Sequence, residues 1–397
     1  MHRISYVLAF IAVGACNNDA PIAPTTVALS KHAPETRYIV RRLASPLGGN
    51  ARGTSINNRG WVAGYSSMPD NLTRHATLWR NDQGTDLGTL GGPNSTLVWP
   101  GLNDAGVVVG VSETAKLNPL NESWSCSAFL PSVTKHNCRG FVYEYGRMRK
   151  LSTLGGYNAF VTESNRRGQI VGWAETKVHD PTCVGPQVLQ FRAVIWEPGT
   201  RKAHELRPLR GDSTSAATAI NDRGQVVGIS GKCDVAVGEF SAQHAVIWED
   251  GRPRKIGSFG GVAWNTPVDI NEAGDVTGFS DFPGDDDGTP NFQGFFWSNA
   301  TGMKKIGVLP GDVTSQPFAI NSQRQVVGLS CGDVACRSFL WQNGIIQDFD
   351  ALVVPGFGGA ILSTRGINDD GSITGDMLDS ASMKKVAFIA TPVRGHH

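Results

Sequence analysis

A nine-residue phrase with the pattern Ile-Asn-x-x-Gly-x-Val-x-Gly occurs seven times in this chain of 397 residues. The copies occupy residues 56–64, 102–110, 164–172, 220–228, 270–278, 320–328 and 367–375. Their Asn residues follow one another at intervals of 46 to 62 residues. Such a period indicates a repeat architecture, in which each unit buries its apolar face against its neighbours.

Each unit contains the pattern of four short strands. In the fourth unit, residues 215–220 (SAATAI) predict a first strand, and the turn 221–224 follows it. An Asn side chain can bond the backbone two residues on, and Gly adopts the positive φ that closes a hairpin. Residues 225–230, 244–249 and 254–258 predict the remaining three strands.

The two ends of the chain supply complementary pieces of one unit. The seventh unit ends after its third strand, residues 386–391, whereas residues 38–44 resemble a fourth strand with no first three before it. Pairing of these segments would close a ring and remove its exposed sheet edges. The sequence therefore predicts an all-β fold, a seven-bladed β-propeller of four-stranded antiparallel blades over residues 37–393.

Three phrases in fixed order carry a family resemblance. The Asn-x-x-Gly phrase, HAVIW at residues 244–248 and DLGTLGG at residues 86–92 resemble the bacterial extracellular HAF-repeat family. The resemblance covers nearly all of the repeat region and implies export and a propeller-like β fold, with no established enzymatic activity. Three features depart from the pattern: Ser164 replaces Ile, Arg324 occupies the Gly position of its turn, and the second unit lacks the Trp. We expect the Arg324 turn to differ from the others.

The N-terminus has the features of an export signal. An apolar run is followed by Val-Gly-Ala-Cys at residues 13–16, which resembles a lipoprotein signal peptide with Cys16 as the lipidated residue. Asn17 follows it, which implies sorting to the outer membrane, on the periplasmic or cell-surface side. The alternative is an ordinary cleaved signal peptide. Residues 17–36 predict a flexible tether, and residues 394–397 a short tail.

The charge of the chain limits its partners. A formal net charge of +1 provides no basic field for nucleic acid. We expect a monomer that contacts a membrane only through the lipid anchor, and no cofactor.

Loop lengths distinguish the two faces of the predicted ring. The Asn-x-x-Gly turns and the turns between third and fourth strands are short, whereas the loops between second and third strands vary and include the long insertion 112–139. Repeat proteins carry binding function on variable loops over a constant scaffold. The variable face is therefore the predicted site.

Four aromatic residues on or near that face stand outside the repeat pattern: Trp99, Trp124, Tyr157 and Trp264. Exposed rings beside polar residues suit carbohydrate or peptide recognition. The alternative is that each ring packs beneath a loop.

An acidic run, Asp281, Asp285, Asp286 and Asp287, could supply oxygen ligands for Ca²⁺. Its spacing does not match an EF-hand loop, and the alternative is a solvated acidic loop.

Six cysteines follow Cys16, and all of them fall in variable-face loops. The positions predict the disulfides Cys126–Cys138, Cys183–Cys233 and Cys331–Cys336. The alternative, metal or redox chemistry, lacks the usual ligand spacing.

Two functions of different classes fit this sequence. The first is a binding or scaffold module for a cell-envelope glycan, peptide or protein on the variable face. The alternative is a propeller enzyme, a glycoside hydrolase or lyase with a carboxylate pair in the axial funnel of that face. The predicted first strands carry only two acids, Glu163 and Asp269, both beside turns of the opposite face, which favours the binding module.

Overall fold

The computed structural model describes residues 36–122, 124–132, 134–234, 238–284 and 291–393. Within these ranges, twenty-eight β-strands form seven separate four-stranded antiparallel sheets. The ring of seven blades confirms the predicted seven-bladed β-propeller. The predicted signal peptide with Cys16, the predicted tether up to residue 35, and the predicted tail lie outside the described residues.

Six blades are built from consecutive strands, with the first strand of each blade innermost. Blade 1 contains β2 (Ala51–Ile56), β3 (Val62–Ser67), β4 (Arg74–Arg80) and β5 (Gln83–Asp86). Blade 2 contains β6 (Gly91–Thr96), β7 (Val108–Leu117), β8 (His136–Glu144) and β9 (Arg147–Lys150). Blade 3 contains β10 (Ala159–Ser164), β11 (Ile170–His179), β12 (Leu189–Trp196) and β13 (Ala203–Leu206).

The next three blades repeat this order. Blade 4 contains β14 (Thr214–Ile220), β15 (Val226–Gly231), β16 (His244–Glu249) and β17 (Arg252–Gly257). Blade 5 contains β18 (Thr266–Ile270), β19 (Val276–Asp281), β20 (Phe292–Ser298) and β21 (Gly302–Lys305). Blade 6 contains β22 (Thr314–Ile320), β23 (Val326–Cys331), β24 (Cys336–Gln342) and β25 (Ile345–Asp348).

Blade 7 combines both ends of the described chain. It contains β26 (Gly359–Ile367), β27 (Ile373–Asp379), β28 (Lys385–Val393) and, as its outermost strand, β1 (Arg37–Leu43). The antiparallel register of β1 and β28 runs from Arg37 opposite Val393 to Leu43 opposite Ala387. The predicted closure of the ring by an N-terminal strand is therefore confirmed.

Helical structure is confined to short segments in the described ranges. Helix α1 (Trp124–Phe129) lies in the long loop of blade 2, and 3₁₀ turns span Glu239–Ala242 and Asp350–Leu352. No helix in the described part of the chain has the length and apolar character needed to cross a membrane.

The core consists of apolar layers between neighbouring blades. A Trp at the last or next-to-last position of the third strand is buried in five blades: Trp79, Trp196, Trp248, Trp297 and Trp341. The indole N–H groups of Trp79 and Trp248 donate to the carbonyl oxygens of Ala44 and Arg207, which follow the outermost strand of the preceding blade. These two bonds link blade 1 to blade 7 and blade 4 to blade 3.

The turn at Arg324 does not differ from its equivalents, contrary to expectation. Arg324 has a φ of +60°, and its N–H donates to the Asn321 carbonyl as that of Gly224 does to Asn221. A non-glycine residue in this region costs about 1 kcal/mol. The Arg324 side chain forms an ion pair with the buried Asp275 carboxylate at 2.8 Å, which offsets part of that cost.

Candidate functional site

Because the strands of each blade alternate in direction, the connections fall on two faces. The turn face carries the Asn-x-x-Gly turns and the turns between third and fourth strands. The loop face carries the loops between second and third strands and the connections between blades.

The repeated Asn residues on the turn face form one closed ring. Each Nδ2 donates to the backbone carbonyl of the equivalent Asn in the next blade, at 2.9 to 3.1 Å, and Asn368 returns to Asn57. Each Oδ1 accepts the backbone N–H four residues on. The Asn side chains are thus committed to the scaffold and are unavailable to a ligand.

A cavity of about 180 Å³ opens on the turn face at the propeller axis. The carboxyl groups of Glu163 and Asp269 line it. Glu163 Oε2 accepts the Ile220 N–H and Asp269 Oδ2 accepts the Ile320 N–H, each at 2.8 Å and each from the next blade. The carboxyl pair therefore lies on the turn face, as the sequence indicated, rather than in a funnel of the loop face.

The pKa values of both carboxyl groups are raised. Burial, followed by the negative charge of Asp269, raises the pKa of Glu163 well above its ordinary value. Burial also raises the pKa of Asp269, to about 6, although two backbone N–H donors oppose the change. Paired carboxyl groups with raised pKa values in a cleft are features of acid–base sites and of buried structural links alike.

Acidic side chains around the cavity mouth accept hydrogen bonds from the backbone. Asp104, Asp222 and Asp369 accept the N–H groups of Asn58, Arg166 and Ser322, respectively, from the preceding blade. These contacts form a second set of links between blades. The rim acids therefore have a structural role that explains their presence without a ligand.

The loop face carries most of the exposed large apolar side chains. Of fourteen such residues in the described ranges, eleven lie on this face: Leu72, Leu117, Tyr157, Val178, Val184, Phe240, Val262, Val313, Val334, Val354 and Met383. Two lie on the turn face, Tyr145 and Ile345, and Ile39 lies on the outermost strand of blade 7. Exposed apolar surface is thus concentrated on one side of the molecule.

Five of these residues lie at strand ends or in loops on the loop face of blades 2 to 5 and are called the loop-face patch: Leu117, Val178, Val184, Phe240 and Val262. Their exposures range from 41% for Phe240 to 63% for Leu117.

Bonds between blades hold the loops beneath this patch. The structure contains the disulfides Cys126–Cys138, Cys183–Cys233 and Cys331–Cys336, the pairing that the sequence predicted. Cys183–Cys233 joins the loops of blades 3 and 4, with Cα atoms 4.4 Å apart. Glu122, in the loop of blade 2, accepts the backbone N–H groups of Val188 and Leu189 in blade 3 at 2.8 and 2.7 Å. Three neighbouring loops are therefore tied together.

Two of the sequence-predicted aromatic residues pack against other loops, Trp264 buried and Trp99 half-buried. Trp264 is 7% exposed and its ring packs against the backbone of Gly238, and its backbone N–H donates to the Glu239 carbonyl. Trp99 is half-buried, with its ring edge-on to Phe129 at 5.4 Å between centroids. Both rings pack within the layer that supports the loops.

The other two predicted aromatic residues are placed differently. Tyr157 is 37% exposed on the loop face, and its backbone N–H donates to the Glu175 carboxylate. Trp124 is the first residue of α1, and its side chain lies outside the description. The structure thus buries Trp264, half-buries Trp99 and leaves Tyr157 accessible.

Of the acidic run proposed for Ca²⁺, Asp281 ends β19 and is 1% exposed. Asp285, Asp286 and Asp287 lie outside the described residues, so the arrangement of the run stays a prediction.

No protein-family model matches this chain, and no curated protein sequence matches it either. The resemblance to the HAF-repeat family therefore stays an expectation.

The chain is similar to solved structures. An oligogalacturonate lyase from Vibrio parahaemolyticus aligns over 89% of this chain and 93% of its own, with a TM-score of 0.51 and 11% identity. A prolyl endopeptidase aligns over 88% of this chain with a TM-score of 0.49 and 12% identity, and the chain spans 51% of that protein. At these identities the likeness concerns the fold alone.

Proposed function

We propose that this protein is a binding module whose loop face takes a protein or peptide partner. The concentration of exposed apolar side chains on that face carries the proposal. Soluble proteins expose few contiguous apolar patches, and those they expose commonly mark interaction sites. The turn face, whose Asn and acidic side chains hold the ring together, offers no comparable surface among the described residues.

The chemistry of the loop-face patch favours a polypeptide over a glycan. Leu117, Val178, Val184 and Val262 are aliphatic, and Phe240 is the only aromatic member. Sugars stack on flat aromatic rings, whereas aliphatic side chains bury apolar side chains of a partner. A glycan ligand would leave the aliphatic surface uncovered.

The fastening of the loops supports binding in a second way. Because Cys183–Cys233 and the Glu122 contacts tie three neighbouring loops together, little conformational entropy is lost when a partner docks. We also propose that the protein is exported and lipidated at Cys16, and that its partner lies in the cell envelope.

Site-specific photo-cross-linking in the native envelope tests the proposal. We expect a benzophenone amino acid at Val184 or Phe240 to cross-link a protein. The same group at Tyr145 or Ile345 on the turn face should not cross-link one.

The purified partner should then bind the wild-type chain directly. Val184→Glu should weaken binding about tenfold by burying a charge, whereas Tyr145→Glu, at a residue 94% exposed, should not. Equal cross-linking from both faces, or binding unchanged by Val184→Glu, would refute the proposal.

The axial carboxyl pair favours a second candidate, an enzyme that acts on glycans. Glu163 and Asp269 line one cavity with raised pKa values, the requirement for a general acid in glycoside hydrolysis. A hydrolase and lyase screen on cell-envelope and plant polysaccharides would detect it. Turnover by the wild type that disappears in folded Glu163→Gln would establish this candidate, and no turnover on any substrate would leave the binding module standing.

A further inference from the structure

Three arginine side chains of blades 7 and 1 lie close enough for their charges to interact. Arg52 lies on β2 and Arg365 on β26, the innermost strands of their blades, and Arg74 is the first residue of β4. All three are half-buried. Burial lowers the pKa of Arg74 and lowers that of Arg365 to about 9, and the like charge of Arg52 contributes to both changes. Three cations therefore share one partly desolvated region.

Aromatic rings hold the guanidinium groups. The guanidinium carbons of Arg52 and Arg74 lie 5.0 and 4.1 Å from the centre of the Tyr65 ring. That of Arg365 lies 3.9 Å from the centre of the Phe318 ring. Contact through the face of a guanidinium leaves the N–H groups at its edge free to bind an acceptor.

Some of these N–H groups have no acceptor. The Nε atoms of Arg52 and Arg74 are buried and make no hydrogen bond to any residue that the structure describes. None of the three arginines forms an ion pair within the described ranges. Arg365 Nε donates to the Ser363 hydroxyl at 3.1 Å, a neutral partner. A buried charged donor without a protein partner is costly, so these N–H groups are suited to donate to the oxygens of a ligand.

The surrounding charges do not balance the arginines. Burial alone would raise the pKa of the Tyr65 phenol, but Arg52 and Arg74, with a smaller contribution from Lys385, lower it despite the opposing charge of Asp376. Asp376 is the one carboxylate among these groups, and its Oδ1 also accepts the Ser363 hydroxyl. The region therefore has an excess of positive charge.

From this arrangement we infer that Arg52, Arg74 and Arg365 form an anion-binding site for a carboxylate or phosphate group of a ligand. The planar guanidinium fork matches the oxygens of either group. Arg52 and Arg74 lie at the loop-face ends of their strands, so the ligand enters from that face. The inference does not depend on the proposed protein partner, and either can fail without the other.

Thermal unfolding of the full chain with inorganic phosphate, with citrate and with sodium chloride at equal ionic strength tests the site. We expect phosphate or citrate to raise Tm above the chloride value, and the more effective anion identifies the ligand group. Arg52→Gln with Arg74→Gln should weaken the apparent affinity about tenfold or more, since bonds to charged groups are lost. No difference between either anion and chloride would overturn the inference.

Tyr65 offers a readout that a merely structural cluster would not give. Its ionisation, followed by ultraviolet absorbance and assigned with Tyr65→Phe, should move to higher pH when the anion binds, because the anion offsets the arginine charges. An unchanged titration in saturating anion would contradict the inference.

Two further variants separate ligand binding from stability. Arg365→Met keeps an apolar side chain against Phe318, and in anion-free buffer it should raise Tm because it removes a buried like charge. It should also reduce the response to the anion. Arg254→Gln is the matched control, since Arg254 lies 5.3 Å from the Trp297 ring and pairs with Glu249 at 3.0 Å. It should keep the full response. A lower Tm for Arg365→Met with an intact anion response would assign the cluster a structural role.

Discussion

The Nδ2 atom of Asn368 donates to the backbone carbonyl of Asn57 at 3.0 Å, across 311 residues of sequence. This bond closes the ring of Asn contacts on the turn face, just as the pairing of β1 with β28 closes the outer edge of blade 7. The propeller is therefore fastened at its innermost and outermost strands.

Removal of one Asn from the ring should destabilise the whole propeller. Asn221→Ala removes three hydrogen bonds. Nδ2 of Asn221 donates to the Asn271 carbonyl, and its Oδ1 accepts the backbone N–H groups of Arg223 and Gln225. We expect a loss of about 2–3 kcal/mol in the free energy of unfolding, because buried partners are left unpaired. Denaturant unfolding measures it.

Asn299→Ala is the matched control, since Asn299 is exposed in the turn between β20 and β21. It should change stability by less than about 0.5 kcal/mol. Equal effects of the two substitutions would show that the Asn ring is not a determinant of stability.

The strand that closes blade 7 supplies a second test. Tyr38 on β1 is fully buried and lies edge-on to Phe349, with centroids 5.0 Å apart. Tyr38→Ala should cost about 3–5 kcal/mol through the cavity that it leaves. Its hydroxyl has no hydrogen-bond partner in the described part of the chain, so Tyr38→Phe should be neutral or stabilising. Comparable losses in both variants would contradict this account.

The repeat made much of this architecture predictable. The Asn-x-x-Gly phrase specifies a turn between two strands, and seven copies with a split last unit specify a closed ring, because each turn is encoded locally. The repeat pattern also predicted that Cys183 and Cys233 lie in equivalent loops of adjacent blades. The structure joins them.

Features outside the repeat required the structure. Trp264 is buried because the segment around Gly238 covers it, a contact between loops that no periodicity encodes. Arg365 occupies the bulge position of an innermost strand where other blades have residues such as Thr218 and Val268. That departure was visible in the sequence, but the charge balance around it depends on side chains from β3, β4 and β27.

The disulfide between blades 3 and 4 should stabilise the protein more than the one within blade 6. Cys183 and Cys233 are 50 residues apart, whereas Cys331 and Cys336 are 5 apart. Loop-closure entropy predicts losses of about 4 and about 2 kcal/mol, respectively, when each pair is changed to Ala. Calorimetry of the two double variants measures the order. A larger loss for the pair in blade 6 would show that chain entropy does not govern these bonds.

Glu163 should make stability depend on pH in a defined direction. Burial and Asp269 raise its pKa in the folded state well above the ordinary 4.5, so the folded protein holds a proton that the unfolded chain releases. The resulting stabilisation is complete below pH 4.5 and is lost as the pH rises through the folded-state pKa. Glu163→Gln resembles the protonated residue and keeps an oxygen to accept the Ile220 N–H. We expect equal unfolding free energies at low pH and a more stable variant at alkaline pH.

Glu249→Gln provides a control of opposite sign. Hydrogen bonds from Gln225 and Arg254 lower the pKa of Glu249, so its contribution is present above the ordinary value of 4.5 and is lost as the pH falls through the folded-state pKa. This variant should be less stable than the wild type at neutral pH and should converge with it in acid. Denaturant unfolding from acid to alkaline pH distinguishes the two profiles. If Glu163→Gln instead lost stability as the pH rose relative to the wild type, the Glu163 carboxyl would be ionised in the folded cavity, and the electrostatic account of the axial pair would be wrong.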